Sequence, residues 1–317
     1  MKVQILIFIS SYLMGLITSF IVLRILRKYK MGQVVRDDGP KSHFKKAGTP
    51  TMGGIVILIV SIISLIVGIT KYRTILLAMV PFLGFGIVGF IDDIKKLKHE
   101  NTDGLSPIKK IILLFLISVI FILLYIFVFK LDLNIIVPFY DNYVELSIGM
   151  FVLLSVFILL GTSNAINLTD GLDGLASGIS ACIMTFFVVM SVKMGNQEMS
   201  LFGISIIASI LSFLLFNIHP AKMFLGDTGS LALGGAIAAI AMITKMPIYL
   251  AIVALVPVVE TLSSALQIIY FKATRGKRLF KMAPLHHHLE ISGVKETTIV
   301  GIFWSITVVL CIVACFI

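Results

Sequence analysis

Apolar positions in this chain fall in long uncharged runs, not in the alternation of a half-buried strand or the stripe of a surface helix. The run from Ile111 to Phe129 has 19 residues without a charge. As a helix it would be about 28 Å long at ~1.5 Å per residue, close to a ~30 Å hydrocarbon core. Reading every such run predicts ten spans: about 3–23, 53–70, 73–91, 110–129, 147–165, 172–192, 199–216, 230–244, 247–270 and 298–316. Lipid offers no partner to an open backbone, so the spans are expected to be helices. The dyad pattern of a membrane barrel is missing. Between the fourth and fifth spans, residues 131–146 alternate roughly around Pro138 and Asp141-Asn142, which predicts a small hairpin. The fold class is therefore an all-α integral membrane protein, a single polytopic domain over residues 1–317.

Composition agrees. Hydrophobic residues make up 58% of the 317 and charged residues 13%, with a mean hydropathy of +1.07. Soluble domains carry about 25% charged residues, and a soluble chain this apolar would expose large sticky patches. The net charge of +10, which alone could suggest a nucleic-acid binder, belongs instead to a protein in a bilayer. Cys182, Cys311 and Cys315 lie inside apolar spans and read as small core residues.

Charge placement changes the picture more than charge content. Ten spans put both termini on one side. The segments 24–52, 92–110, 166–171, 217–229 and 271–297 then share the other side and hold twenty of the 26 Lys and Arg. The positive-inside rule makes that side cytoplasmic and both termini extracytoplasmic. No small-residue cleavage site follows the first span, which reads as retained. Ten of the sixteen carboxylates and all six histidines fall in the same five segments, and an eleventh, Asp173, lies two residues beyond one of them. Chemistry is expected there.

Five motifs carry it. Gly89-Phe-Ile-Asp92-Asp93 closes the third span; adjacent carboxylates at a helix C-terminus oppose the macrodipole and call for a metal or cationic partner. In Asn167-Leu-Thr-Asp170-Gly-Leu-Asp173, the spacing would give one polar stripe on a helix, suited to Mg²⁺ or to a sugar and base edge. Asn217 to Ser230 brings Lys222 and Asp227 to the start of a span, where a helix N-terminus favours anions; Asp227 or Ser230 could equally cap that helix. His286-His287-His288 is too closely spaced for a zinc site and better suits phosphate contacts. Lys45, Thr51 and the glycines at 53 and 54 make a basic turn, either an anion cradle or a positive-inside anchor. Glu260 stands alone inside a span, on a polar face with Ser263, Ser264 and Gln267. Pro257 is expected to bend or break that helix.

In this order, the TPTMGG stretch, the FIDD element, NLTDGLDGL, FLGDTG and MAPLHHHLE resemble the polyprenyl-phosphate N-acetylhexosamine-1-phosphate transferase family over essentially the whole chain. The histidine run is similar to that of the branch whose donor is UDP-MurNAc-pentapeptide. The resemblance implies transfer of phospho-MurNAc-pentapeptide to undecaprenyl phosphate, giving lipid I and UMP, with Mg²⁺, in a homodimer of the bacterial plasma membrane. It implies Asp227 as the Mg²⁺ ligand, with Asp92 and Asp93 near the acceptor phosphate as further metal candidates. Asn167, Asp170, Asp173 and Asn217 would contact uridine and sugar-diphosphate, and His286 and His287 the diphosphate. Lys45, Thr51, Lys109, Lys222 and Gln267 complete the expected substrate set. A UDP-GlcNAc donor is the alternative within the family. A transporter is the alternative outside it, although transporters collect polar residues near mid-membrane, whereas here they gather at one edge.

Overall fold

A computed structural model describes residues 2–32, 46, 48–98, 104–140 and 143–317. Lys45 lies outside them, as does the Asp141-Asn142 turn signal. The expected helices form: α1 Lys2–Lys28, α2 Gly54–Lys71, α3 Thr74–Lys98, α4 Pro107–Leu123, α5 Ile148–Thr169, α6 Leu175–Lys193, α7 Gln197–Asn217 and α8 Gly226–Ile243, then α9 Leu250–Val253, α10 Leu255–Ala273, α11 Leu285–Ile291 and α12 Glu296–Ala314. Among the described residues, eight are long and apolar enough to cross a membrane. A ninth span is counted if the bent α9–α10 pair is one, and α2 is shorter over its described part. Local chemistry marks several starts. Ser106 and Ser147 accept from the backbone N–H groups of Lys109 and Met150, and Asn196 accepts from Met199.

The expected hairpin is present. β1 Asn134–Ile136 pairs antiparallel with β2 Tyr143–Glu145, Ile135 opposite Val144. Ile136 N–H donates to the Lys245 carbonyl and Lys245 pairs with Asp132 at 2.9 Å, which ties the hairpin to the far end of α8.

One span is broken, as its proline predicts, but not at the proline. The run 247–270 is not a single helix: the chain turns by 80° between α9 and α10. The break is at Ala254, three residues before Pro257. Proline therefore sits in the first turn of α10, where its missing N–H costs nothing. It begins a helix instead of kinking one.

α8 is the axis of the bundle, buried along nearly its whole length and packed most extensively on α3 and α5. Its Gly, Ala and Ser side chains let neighbours approach closely, the usual means of helix association where lipid supplies no hydrophobic drive. A Cβ on Gly234 would run into the Ser163 backbone of α5. Gly234→Val is expected to lower stability by about 1–3 kcal/mol, seen as a reduced Tm in detergent. An unchanged Tm would mean α5 and α8 separate freely.

Candidate functional site

The antiparallel helices bring the end of α3, the starts of α4, α6, α8 and α12 and the end of α5 to one end of the bundle. Three carboxylates meet there, Asp92 and Asp93 from α3 and Asp227 from α8, with ligand oxygens within 4.8 Å of one another. Gly89 makes this approach possible, because a Cβ there would collide with the Asp227 carbonyl.

The three carboxylates do different things. Asp93 accepts from the Asp227 and Thr228 N–H groups, at 3.2 and 2.9 Å, and from the Thr228 hydroxyl at 2.6 Å. It caps α8 from another helix, supplying the acceptor and the negative charge that a helix N-terminus favours. Neither Asp227 nor Ser230 fills that role; Ser230 instead donates to the Gly226 carbonyl. Asp92 accepts from Leu105 N–H at 2.6 Å, and its other oxygen pairs with Lys96 at 2.7 Å and Lys110 at 3.5 Å. Asp227 is held by Lys110 at 2.6 Å, Lys96 at 3.0 Å and the Asn167 amide at 2.9 Å. Two ammonium groups thus bridge Asp92 and Asp227.

Lys110, and not Lys109, turns into this cluster; Lys109 is exposed. Adjacent helical residues point ~100° apart, so a pair of lysines admits only one inward. Lys96 was also absent from the expected set, although its i,i+4 spacing from Asp92 was the signal.

The stripe expected of Asn167, Asp170 and Asp173 does not form, because α5 ends at Thr169 and Asp170 is its C-terminal cap. The three residues separate. Asn167 stays with Asp227. Burial first, then the charges of Asp227, Asp93 and Asp173, push the Asp170 carboxyl well above the usual range, against the Gly226 N–H that favours its charge. Asp173 belongs to a second cluster. It accepts from Lys46 at 2.7 Å, His219 Nδ1 at 3.1 Å and Ala221 N–H at 3.0 Å, while Glu296 takes Lys46 at 2.6 Å. With Thr49, Pro220 and Phe224 these groups line a cleft of about 410 Å³.

The other expected residues are dispersed. Thr51 is buried beside Gly226. The turn at 51–54 is no anion cradle. Thr51, Gly53 and Gly54 donate their N–H groups to the carbonyls of Met31, Phe224 and Leu225, and glycine lets α2 lie against Gly229 of α8. Asn217 is buried, accepting from Ser177 and donating to the Met223 carbonyl. Lys222 is exposed. Gln267 accepts from Leu279 and Phe280 N–H and donates to the Phe280 carbonyl, so its amide latches the loop after α10. His287 lies 3.5 Å from Glu290. His286 is fully buried, with Nδ1 2.6 Å from a Glu260 carboxylate oxygen and Nε2 lying where a Gly171 Cβ would be.

The donor set suits a divalent cation. Asp92 and Asp227 offer hard oxygens whose present partners are cations, whereas Asp93 is committed to α8. Mg²⁺ characteristically takes one or two carboxylates and leaves its other positions to water and substrate phosphates.

Comparisons with known proteins give the context for this geometry. Residues 74–245, over half the chain, match glycosyl transferase family 4. Residues 46–58, across the TPTMGG turn, match the phospho-N-acetylmuramoyl-pentapeptide-transferase signature 1. Proteins of that name are similar along their length. One from Clostridium botulinum (strain Eklund 17B) is 45% identical over 96% of this chain and 94% of its own. One from Acetivibrio thermocellus is 45% identical over 98% and 94%, and one from Caldicellulosiruptor bescii 43% over 96% and 94%. The chain belongs to the phospho-N-acetylmuramoyl-pentapeptide-transferase family, within glycosyl transferase family 4.

Proposed function

We propose that this multi-pass protein of the bacterial plasma membrane transfers phospho-MurNAc-pentapeptide from UDP-MurNAc-pentapeptide to undecaprenyl phosphate, releasing UMP and forming lipid I. The Asp92–Asp227 cluster bridged by Lys96 and Lys110 carries this reading, together with family membership. A reaction between a nucleotide diphosphate and a lipid phosphate needs balanced positive charge at one edge of an apolar body. Lys and Arg asymmetry supports a cytoplasmic position for that edge, with both termini outside. Family membership alone supports a homodimer.

The acceptor is a phosphate monoester with a second pKa near ~6, so at pH 7 it is largely dianionic and needs little base assistance. One of its oxygens attacks the sugar-linked phosphorus of the donor. The bond from that phosphorus to the bridging oxygen breaks, and UMP leaves with the electron pair. Lys96 and Lys110 neutralise charge spread over the transferring phosphoryl group. Asp227, with Asp92, would hold Mg²⁺, which when bound supplies Lewis-acid stabilisation of the phosphoryl oxygens. Asn167 keeps Asp227 oriented, and Asp93 fixes the helix that carries it. The cleft at Asp173 and Phe224 has the size of a small-molecule pocket and, with Lys46, suits the nucleoside end of the donor. His286 and His287 face the diphosphate.

UMP release by the purified protein with undecaprenyl phosphate and Mg²⁺ tests the reading, comparing UDP-MurNAc-pentapeptide with UDP-GlcNAc. Turnover of the first donor is expected; turnover of UDP-GlcNAc alone would overturn the assignment. In the same assay Lys110→Ala is expected to lower kcat by about 10²-fold, in the range found for removing one electrostatic stabiliser. Lys109→Ala should stay within ~2-fold, as an exposed charge usually does. Equal losses would remove the distinction between the two lysines.

A further inference from the structure

Glu260 takes no part in the chemistry above, yet its side chain is enclosed almost completely, at 1% exposure. A buried carboxylate without compensation is costly, so its partners define its purpose. The Ser263 and Ser264 hydroxyls do not serve it; both donate to the Glu260 backbone carbonyl. Among the described residues, the hydrogen-bond partner of the carboxylate is His286. One oxygen accepts from the His286 backbone N–H at 3.1 Å, and the other is 2.6 Å from its ring Nδ1. Backbone and ring of the same histidine are gripped by one carboxylate, from a helix 26 residues earlier in the chain.

This grip fixes the ring's hydrogen positions. A carboxylate only accepts, so Nδ1 carries a proton and points it at Glu260. The other nitrogen, Nε2, is buried and has no hydrogen-bond partner. It faces Gly171, where any side chain would collide with it, in the turn that follows Asp170. Buried polar atoms are nearly always paired. An unpaired ring nitrogen kept clear by a glycine, beside the acidic clusters, is a group waiting for a ligand atom.

We infer that Glu260 is a positioning residue for His286: it holds the imidazole in one tautomer and one orientation, so that Nε2 is presented over Gly171 to the diphosphate of the donor. The inference rests on the proposed function for the identity of that ligand, but not for the Glu260–His286 pairing. It also accounts for the break at Ala254. Only a redirected α10 brings an intramembrane carboxylate to the histidine segment of α11.

Glu260→Gln is the test. Glutamine keeps the volume and an acceptor for the backbone N–H, but can turn its NH₂ toward Nδ1 and release the tautomer. The variant is expected to lose about 10–10²-fold in kcat, with KM for the donor within ~3-fold. His286→Ala should lose at least as much, and the double variant no more than His286→Ala alone, since groups acting as a unit are not additive. The ¹⁵N spectrum of histidine-labelled protein reads the pairing directly. Wild-type His286 should show a protonated Nδ1, and Glu260→Gln a mixed population. A Glu260→Gln protein with wild-type kcat and unchanged ring signals would overturn the inference. So would a double variant whose loss equals the product of the single losses, because Glu260 would then act independently of His286. If the wild type releases no UMP with either donor, the proposed function fails, while the ring spectra still decide the pairing. A variant that does not fold is replaced by Glu260→Asp, expected to restore the Nδ1 signal in part and kcat with it.

Discussion

Asp227→Asn is expected to abolish measurable transfer, a loss of at least about 10³-fold in kcat, while leaving the protein folded. Asn is nearly isosteric and can still accept the 2.9 Å hydrogen bond from Asn167, so the shape of the site survives. What disappears is charge. Among the described residues, Lys96 and Lys110 then keep only Asp92 as an ion-pair partner, and the cluster loses one of the two carboxylates proposed to hold a divalent cation. Removing one preorganised electrostatic group commonly costs about 10²–10³-fold, and here the proposed metal ligand and a counter-charge go together. UMP release measures the loss, and a Tm within a few degrees of wild type separates it from unfolding. A variant retaining a tenth of wild-type activity would move the metal and phosphate roles away from Asp227.

The second large effect is expected at Asp93, for a different reason. Asp93→Ala leaves the Asp227 and Thr228 N–H groups and the Thr228 hydroxyl without their acceptor. A lost cap costs about 0.5–2 kcal/mol at an exposed helix, and leaving buried donors unpaired costs about 1–3 kcal/mol. Stability should therefore fall together with activity, because the first turn of α8 carries Asp227. Asp93→Asn can still accept from that turn and is expected to recover most of the Tm and a large part of kcat. Should Asp93→Asn be as inactive as Asp93→Ala while melting like the wild type, Asp93 would need its charge for the reaction itself.

Much of this was legible in the sequence, and the failures share one physical origin. Span positions were readable because hydrocarbon imposes a length on every uncharged run, and the hairpin at 131–146 because alternation and turn residues are local signals. The identity of the inward-facing lysine was not readable, since Lys109 and Lys110 are chemically equal until a helix assigns their directions. The stripe through Asp173 failed because periodicity was extended past Thr169, where the helix stops. The pairing of Glu260 with His286 required both the break that Pro257 announces, displaced to Ala254, and the direction α10 takes after it, which no local signal gives. Gln267 was legible as polar and inward-facing, but which partner would claim its amide was decided by the fold of the loop at 279–280.

The two ammonium groups between Asp92 and Asp227 have one more consequence. They sit on the oxygens that a divalent cation would claim, so the site behaves as an ion exchanger in which one kind of positive charge gives way to another. Lys96 and Lys110, once displaced, are flexible donors, and in the proposed reaction an incoming phosphate is their new partner. Cation binding and phosphate binding should then strengthen each other by the same factor, as linkage requires. With both ligands absent, the lysines pair with the aspartates and the site rests in the self-neutralised state seen here.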